Sequence, residues 1–310
     1  MNPTGNVDTV RNEAADPTLG DEASRLAEKA AAGHGLDVRE VDSLPELNQL
    51  AQFFMDVWSA PNIDHVINCA TLRALAHGGN YVAAAYRGGD LVGGAVAFLG
   101  MDADGIQLLS HLAGVLPGGQ SKGVGRVLKQ HQRAWALRRG IGRICWTFDP
   151  LVSRNAYFNL QKLGALPVAY LPNFYGALDD GINAGDATDR LWLRWETASK
   201  RATDAALDDL ADPDAAALRA AGAVVLLDRS DDRPVTSDDP TLAAAAAART
   251  PLLVAVPADI ERMRPDRPAT ASAWREALRW ALDGALAAGY RFEGFDRAGW
   301  YVLVRDEGSA

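Results

Sequence analysis

The residues from Val115 to Arg126, Val-Leu-Pro-Gly-Gly-Gln-Ser-Lys-Gly-Val-Gly-Arg, have the types and spacing to hold an anion. An apolar run ends at Val115, and a strongly helical segment starts at Gly123. The N–H groups at a helix start point outward and carry partial positive charge. Gly123 and Gly125 let the backbone approach a phosphate closely, and Lys122 adds a cation, so a pyrophosphate suits the segment. Two common phosphate loops do not fit. A P-loop places its lysine after the second glycine, whereas Lys122 precedes Gly123. A dinucleotide fingerprint needs a third glycine three residues after the second, and none follows Gly125 there. Taken alone, Gly-x-Gly also fits a tight turn into a helix.

Other reactive side chains are sparse. Cys69 and Cys145 lie among apolar residues and read as buried thiols; two cysteines make neither a disulfide framework nor a structural zinc site. His34, His65, His77, His111 and His131 show no metal-ligand spacing, so no metal is expected. No Ser/His/Asp or Cys/His arrangement is readable. The net charge of −9 argues against a nucleic-acid partner, and the basic cluster Arg133, Arg138, Arg139 and Arg143 reads as a solvated helix face and its exit. No apolar run reaches the roughly 18 residues of a membrane span. Met1 to Gly33 is polar and acidic, without a secretory core, so a cytoplasmic location is expected.

These residues must be positioned by a mixed α/β layout. Residues 1–35 read as a flexible lead-in in which Asp21 to Ala32 has helix propensity but no evident packed face. Leu36 to Val41 alternates as a strand. Leu44 to Trp58 is helical, with Leu47, Leu50, Ala51, Phe54 and Trp58 on one face, and a second helix covers Ile63 to Ala76. Tyr81 to Tyr86 and Leu91 to Leu99 flank the hairpin turn Arg87-Gly88-Gly89-Asp90, and Ile106 to Leu116 completes an antiparallel meander. Gly123 to Arg139 is the strongest helix, Arg143 to Phe148 a strand, Ser153 to Leu163 a helix, and Leu191 to Trp195 a strand. Near Ser199 the composition turns Ala/Asp-rich. Val224 to Leu227 and Leu252 to Val256 read as strands, Arg229 to Asp239 as a polar loop, Trp274 to Ala288 as an amphipathic helix, and Phe292 to Phe295 with Trp300 to Val304 as a hairpin. Residues 199–310 therefore read as a small α/β extension packed on a core domain of residues 36–198.

Gln120-Ser121-Lys122-Gly123-Val124-Gly125 resembles the Gln/Arg-x-x-Gly-x-Gly/Ala loop of GNAT acyltransferases, where it follows the fourth strand. Val115-Leu116-Pro117 is similar to the family's strand end. Ser153-Arg154-Asn155-Ala156-Tyr157 through Lys162-Leu163-Gly164 resembles its Asn-x-x-Ala…Tyr-x-Lys-Leu-Gly helix. The chain looks closest to predicted bacterial acetyltransferases marked by Trp146-Thr147-Phe148-Asp149-Pro150-Leu151, Arg154-Asn155-Ala156 and Thr188-Asp189-Arg190, which carry a C-terminal extension. The resemblance implies a mostly antiparallel central sheet flanked by helices, and acetyl-CoA or another acyl-CoA as co-substrate. Gln120, Ser121, Lys122, Gly123, Val124 and Gly125 would bind the pyrophosphate, with Ser153 and Asn155 also on the cofactor. Ala113, Gly114 and Val115 would pair with the pantetheine arm, and a backbone N–H there would stabilise the oxyanion.

The acyl group would pass directly to a small amine or amino-acid-like acceptor. Asp149, past the fifth strand, is the first candidate base and His111 the second; the plainer readings are an Asp-Pro turn and a core histidine. The departures from the family pattern are Ser153 in the usual Asn position and Leu160 where a tyrosine would protonate the thiolate. Tyr157 is the substitute acid, or else a core aromatic. Asn173, Tyr175 and Arg190 would contact the acceptor, Arg190 pairing with a carboxylate or instead with Asp186 or Asp189. N-succinyl transfer to amino acids, a non-catalytic CoA-binding sensor or scaffold, and a homodimer all stay open.

Overall fold

The computed structural model describes residues 17–60, 62, 66–116, 123–176 and 187–305. It is a mixed α/β protein with two sheets, one of strand order β1-β2-β3-β4-β5-β7-β6 and one of order β11-β12-β10-β8-β9. By contacts the chain divides into two compact units, residues 1–54 with 67–144 and residues 55–66 with 145–310. Among the described residues, no helix is long and apolar enough to cross a membrane.

In the first unit, β2 (Tyr81–Arg87), β3 (Asp90–Asp102) and β4 (Gly105–Val115) form the expected antiparallel meander, and β1 (Asp37–Glu40) pairs antiparallel with β2. Helix α2 (Leu44–Trp58) buries Leu47, Leu50, Ala51 and Phe54 of the face its spacing predicts, together with Phe53, while Trp58 is only half-buried. Helix α3 is shorter than expected, Cys69–His77, because Asn68 caps it by accepting from the Thr71 N–H. Helix α4 (Val124–Arg138) is buried on most of its surface.

Two adjacent glycines in β3 set how closely the helices approach. A Cβ on Gly93 would lie 2.5 Å from Val124 Cγ1 of α4, and one on Gly94 would lie 2.4 Å from Leu50 Cδ1 of α2. The pair clears a place for a helix on each face of one strand. Gly93 pairs with Val115 and Gly94 with Gly114, so the start of α4 is held beside the end of β4.

The lead-in differs from its expectation over its second half. Helix α1 spans Pro17–Gly33, and its Ala23 and Ala27 cluster with Ala134 and Leu137 of α4. Arg138 Nη1 donates to Ser24 Oγ at 2.5 Å. The face consists of small side chains, which apolar periodicity under-weights. The basic cluster differs too: Arg133 and Arg143 are buried, and Arg143 pairs with Asp102 at 3.0 Å and Asp104 at 3.1 Å. Lys129 is also buried, donating to Ser110 Oγ at 2.7 Å, and burial pulls its pKa down to about 7.

The second unit holds β5 (Arg143–Phe148) from Cys145 onward, and α5 (Ser153–Tyr157), which continues as a π-helical turn over Phe158–Lys162. Strands β6 (Leu166–Leu171) and β7 (Arg190–Glu196) pair antiparallel. There follow α6 (Lys200–Leu207), α7 (Ala215–Ala220), β8 (Val224–Ser230), β9 (Arg233–Thr236), α8 (Asp239–Ala248), β10 (Leu252–Ala255), α9 (Ile260–Asp266), α10 (Pro268–Ala287), β11 (Arg291–Asp296) and β12 (Trp300–Val304). The segment read as a polar loop contains β9, which pairs antiparallel with β8. Strands β8 and β10 are parallel and joined through α8, a βαβ connection. Helix α10 buries Trp274, Ala277, Leu278, Ala281, Leu282 and Ala285, the expected stripe.

His131 of α4 gives the first unit a pH dependence. Its Nδ1 lies 2.9 Å from the Tyr81 hydroxyl. Burial, with help from the Arg138 charge, lowers its pKa from 6.5 to about 4. Between those values the unfolded chain binds a proton that the folded chain excludes. Stability present above about pH 6.5 is therefore lost as pH falls toward 4, by at most about 1.4 kcal/mol per pH unit. Urea unfolding at several pH values should show this loss, and His131→Leu should flatten it.

Candidate active site

The anion-holding segment is described from Gly123 onward; Gln120, Ser121 and Lys122 lie outside the described residues. Gly123 is the N-cap of α4 with φ +82°, a left-handed conformation that favours glycine, and among the described residues no side chain caps the helix. The first intrahelical bond runs from the Val127 N–H to the Gly123 carbonyl. Val124 and Gly125 therefore start the helix with N–H groups directed away from its body. A Cβ on Gly123 would lie 2.4 Å from the exposed His34 ring, which would have to turn away; the positive φ is what favours glycine here.

On β4, His111 and Ala113 are exposed and Gly114 is buried. The His111 ring lies 5.6 Å from that of Phe98. Packing on its inner side lowers its pKa below 6.5, so it is neutral and able to accept a proton at pH 7. It is not the enclosed core histidine of the plainer reading.

Asp149 has a different environment. Arg275 grips its carboxylate bidentately, Nη1 to Oδ1 at 2.8 Å and Nη2 to Oδ2 at 2.9 Å. Arg264 Nη2 donates to Oδ2, and the Leu151 N–H to Oδ1 at 3.0 Å. Both guanidiniums are buried, at 4% and 2% exposure. Burial alone would raise the carboxyl pKa; the Arg275 hydrogen bonds and charge, then the Arg264 charge, overcome it and hold the pKa at about 2. The expected general base is thus an occupied carboxylate with almost no proton affinity at neutral pH. It anchors α9 and α10 to the segment after β5, where Tyr301 also donates to the Pro150 carbonyl at 2.8 Å.

The acceptor candidates are similarly committed. Asn173 Oδ1 accepts from Thr188 Oγ1 at 3.2 Å, and its backbone N–H donates to Asp189 Oδ1 at 2.9 Å. Arg190 is buried, donates to the Asp189 carbonyl at 2.9 Å and lies 5.3 Å from the Tyr175 ring. The Asp189 carboxylate goes elsewhere, to Arg279 Nε at 2.8 Å and Nη2 at 2.7 Å and to the Tyr170 hydroxyl at 2.6 Å. Asp186 lies outside the described residues. Of the three candidates, Tyr175 presents an exposed aromatic side chain, 4.7 Å from the Phe174 ring, with its hydroxyl 2.9 Å from Thr147 Oγ1.

The α5 candidates divide. Tyr157 donates to Asp212 Oδ2 at 2.9 Å and accepts from Arg297, whose guanidinium lies 4.8 Å from its ring. The substitute acid is therefore a surface link to the C-terminal residues. Leu160 is fully buried, and no tyrosine follows in the π-helical turn. Ser153 lines a pocket with Arg229, Asp232 and Trp274, and Asn155 is half-buried in the first turn of α5.

Sequence reasoning missed Arg264, Arg275 and Arg279. A signal existed for one of them: Arg275 interrupts the apolar stripe between Trp274 and Leu278, and a guanidinium on a buried face requires an acid. Nothing in the spacing says that the acid is Asp149. Among the described residues, no group of three His, Cys, Asp or Glu side chains could hold a metal.

No protein-family model matches the chain, and no curated protein matches it in sequence. Solved structures do. The chain is similar to the aminoglycoside 6'-N-acetyltransferase from Enterococcus faecium, at 16% identity over 53% of this chain and 98% of that one, with a TM-score of 0.41. It is similar to a putative acetyltransferase from Salmonella typhimurium solved with its cofactor acetyl-CoA, at 18% identity over 58% and 98%, TM-score 0.42. It is also similar to a GNAT-family acetyltransferase from Streptococcus pneumoniae, at 14% identity over 51% and 97%, TM-score 0.41. Likenesses this distant do not assign an acceptor.

Asp149→Asn keeps the side-chain shape and leaves two buried guanidiniums facing a neutral amide. Removing one partner of a buried ion pair costs about 3–5 kcal/mol, and thermal unfolding should show a loss of that order. A variant as stable as the parent would remove the anchoring role.

Proposed function

We propose that the protein is an acyl-CoA-dependent N-acyltransferase, passing an acetyl or related acyl group directly to a small amine or amino-acid-like acceptor. The observation that carries this reading is the start of α4: an uncapped helix N-terminus behind a left-handed Gly123, held beside the end of β4 by the Gly93 and Gly94 contacts. Such a terminus suits a pyrophosphate. The motif resemblance from Gln120 to Gly125 and the mostly antiparallel sheet agree with it.

Acyl-CoA supplies the activated thioester. The Val124 and Gly125 N–H groups bind the pyrophosphate, with Lys122 adding charge. Ala113, Gly114 and Val115 offer backbone groups along β4, one N–H of which polarises the reacting carbonyl. With Asp149 locked in its ion pairs, His111 is the proton acceptor of this reading: it is exposed on the same strand, neutral at pH 7, and carries a basic ring nitrogen. Direct transfer needs no covalent enzyme intermediate.

The buried Leu160 and the engaged Tyr157 favour a second reading, a CoA-binding sensor without turnover. Release of free thiol from any acyl-CoA donor in the presence of an amine excludes it. A donor panel including succinyl-CoA separates succinyl from acetyl transfer.

Two measurements test the first reading. Lys122→Glu reverses a charge beside the pyrophosphate and should weaken CoA binding more than tenfold by calorimetry, about 1.4 kcal/mol; unchanged affinity removes the assignment of the loop. With an acceptor in hand, His111→Ala should lower turnover by roughly 10²-fold. In the parent protein, turnover should fall as pH drops through a value below 6.5, where His111 protonates. An acid limb that survives in His111→Ala assigns the base elsewhere.

A further inference from the structure

We infer that the C-terminal residues of the second unit hold a binding site for a small organic carboxylate, in a cavity beyond the carboxyl ends of β8 and β10. The cavity is about 370 Å³, within the range of small-molecule sites. Strands β8 and β10 are parallel, and in open α/β sheets ligands settle outside the carboxyl ends of such strands. Arg229 comes from the end of β8, and Gly299 from the β11–β12 turn. Ser153, Asp232, Trp274 and Arg297 complete the parts of the lining that bear chemistry.

The charge balance selects the ligand. Arg229 donates to two carbonyls, Val256 at 3.2 Å and Ala298 at 2.5 Å, and lies 5.5 Å from the Trp300 ring. No carboxylate meets it among the described residues. The one acid in the lining, Asp232, is already paired with Arg267 at 3.0 Å, while its backbone carbonyl accepts from Trp274 Nε1 at 2.8 Å. The Ser153 hydroxyl has no hydrogen-bond partner among the described residues, so it remains a donor for a ligand oxygen. Arg297 is 72% exposed at the mouth and shares its charge with Asp212 at 3.4 Å. A Cβ on Gly299 would lie 3.0 Å from Arg229 Nη1, so the bare backbone there is what admits the guanidinium.

One guanidinium met only by neutral groups, one unused hydroxyl and the apolar Pro257, Ala258 and Ala298 match a monoanion on an apolar body. A phosphate dianion would require a second uncommitted cation. The site uses neither α4 nor β4, and shares with the residues expected on the cofactor only Ser153.

The test is calorimetry on the full chain at constant ionic strength, with propionate, benzoate, succinate and inorganic phosphate as probes. At least one carboxylate should bind at one site per chain with a dissociation constant below about 1 mM. Arg229→Gln should weaken it at least tenfold and Ser153→Ala severalfold. If Arg229→Gln does not fold, Ser153→Ala decides alone, because that hydroxyl supports nothing else. No saturable carboxylate binding, or affinity unchanged in Ser153→Ala, overturns the site. Phosphate binding tighter than every carboxylate overturns its chemical class.

Discussion

The pairing of Asp149 with Arg275 and Arg264 is the constraint on which the second unit depends. Each of these side chains would be costly to bury alone. Together they form a group that is tolerated only when all three are in place, because one carboxylate must serve two guanidiniums. Such a cluster is a weak source of net stability compared with apolar packing, but a strong penalty on any arrangement that separates its members. It therefore dictates that α9 and α10 lie against the residues after β5. The Asp189–Arg279 pair repeats the device four residues further along α10.

This changes what the Asp-Pro motif after β5 is for. A carboxylate at a strand end looks like a base when only its position is known. Inside the fold the same position is surrounded by guanidiniums, and two Asp149 oxygens accept four hydrogen bonds. The proposed chemistry uses the first unit instead, the start of α4 and the His111 ring on β4. The two β3 glycines are the structural reason that the terminus is where it is.

Local signals carried most of the layout. The Arg87–Asp90 turn, the β2–β4 meander, the faces of α2 and α10 and the β11–β12 hairpin were all legible, because each follows from spacing within one segment or between neighbouring ones. The departures share one cause. Helix α1 packs through alanines, β9 is a four-residue strand that exists because β8 is beside it, and the π-helical turn interrupts what the pattern read as one helix. In the site, the glycine loop was legible as an anion holder. The role of Asp149 was not, since its partners lie 115 and 126 residues away in sequence. Arg275 on an apolar stripe announced that a buried acid existed without naming it.

A double-mutant cycle between Asp149 and Arg275 measures the governing interaction most directly. Asp149→Asn, Arg275→Met and the double variant would be unfolded in urea at pH 7. The account predicts that the double variant is less destabilised than the sum of the singles by more than about 1.5 kcal/mol, because Asp149→Asn takes the carboxylate from the buried Arg275 charge and the double variant removes that charge, while Arg264 is common to both. Additive losses, or singles that leave stability unchanged, would contradict it.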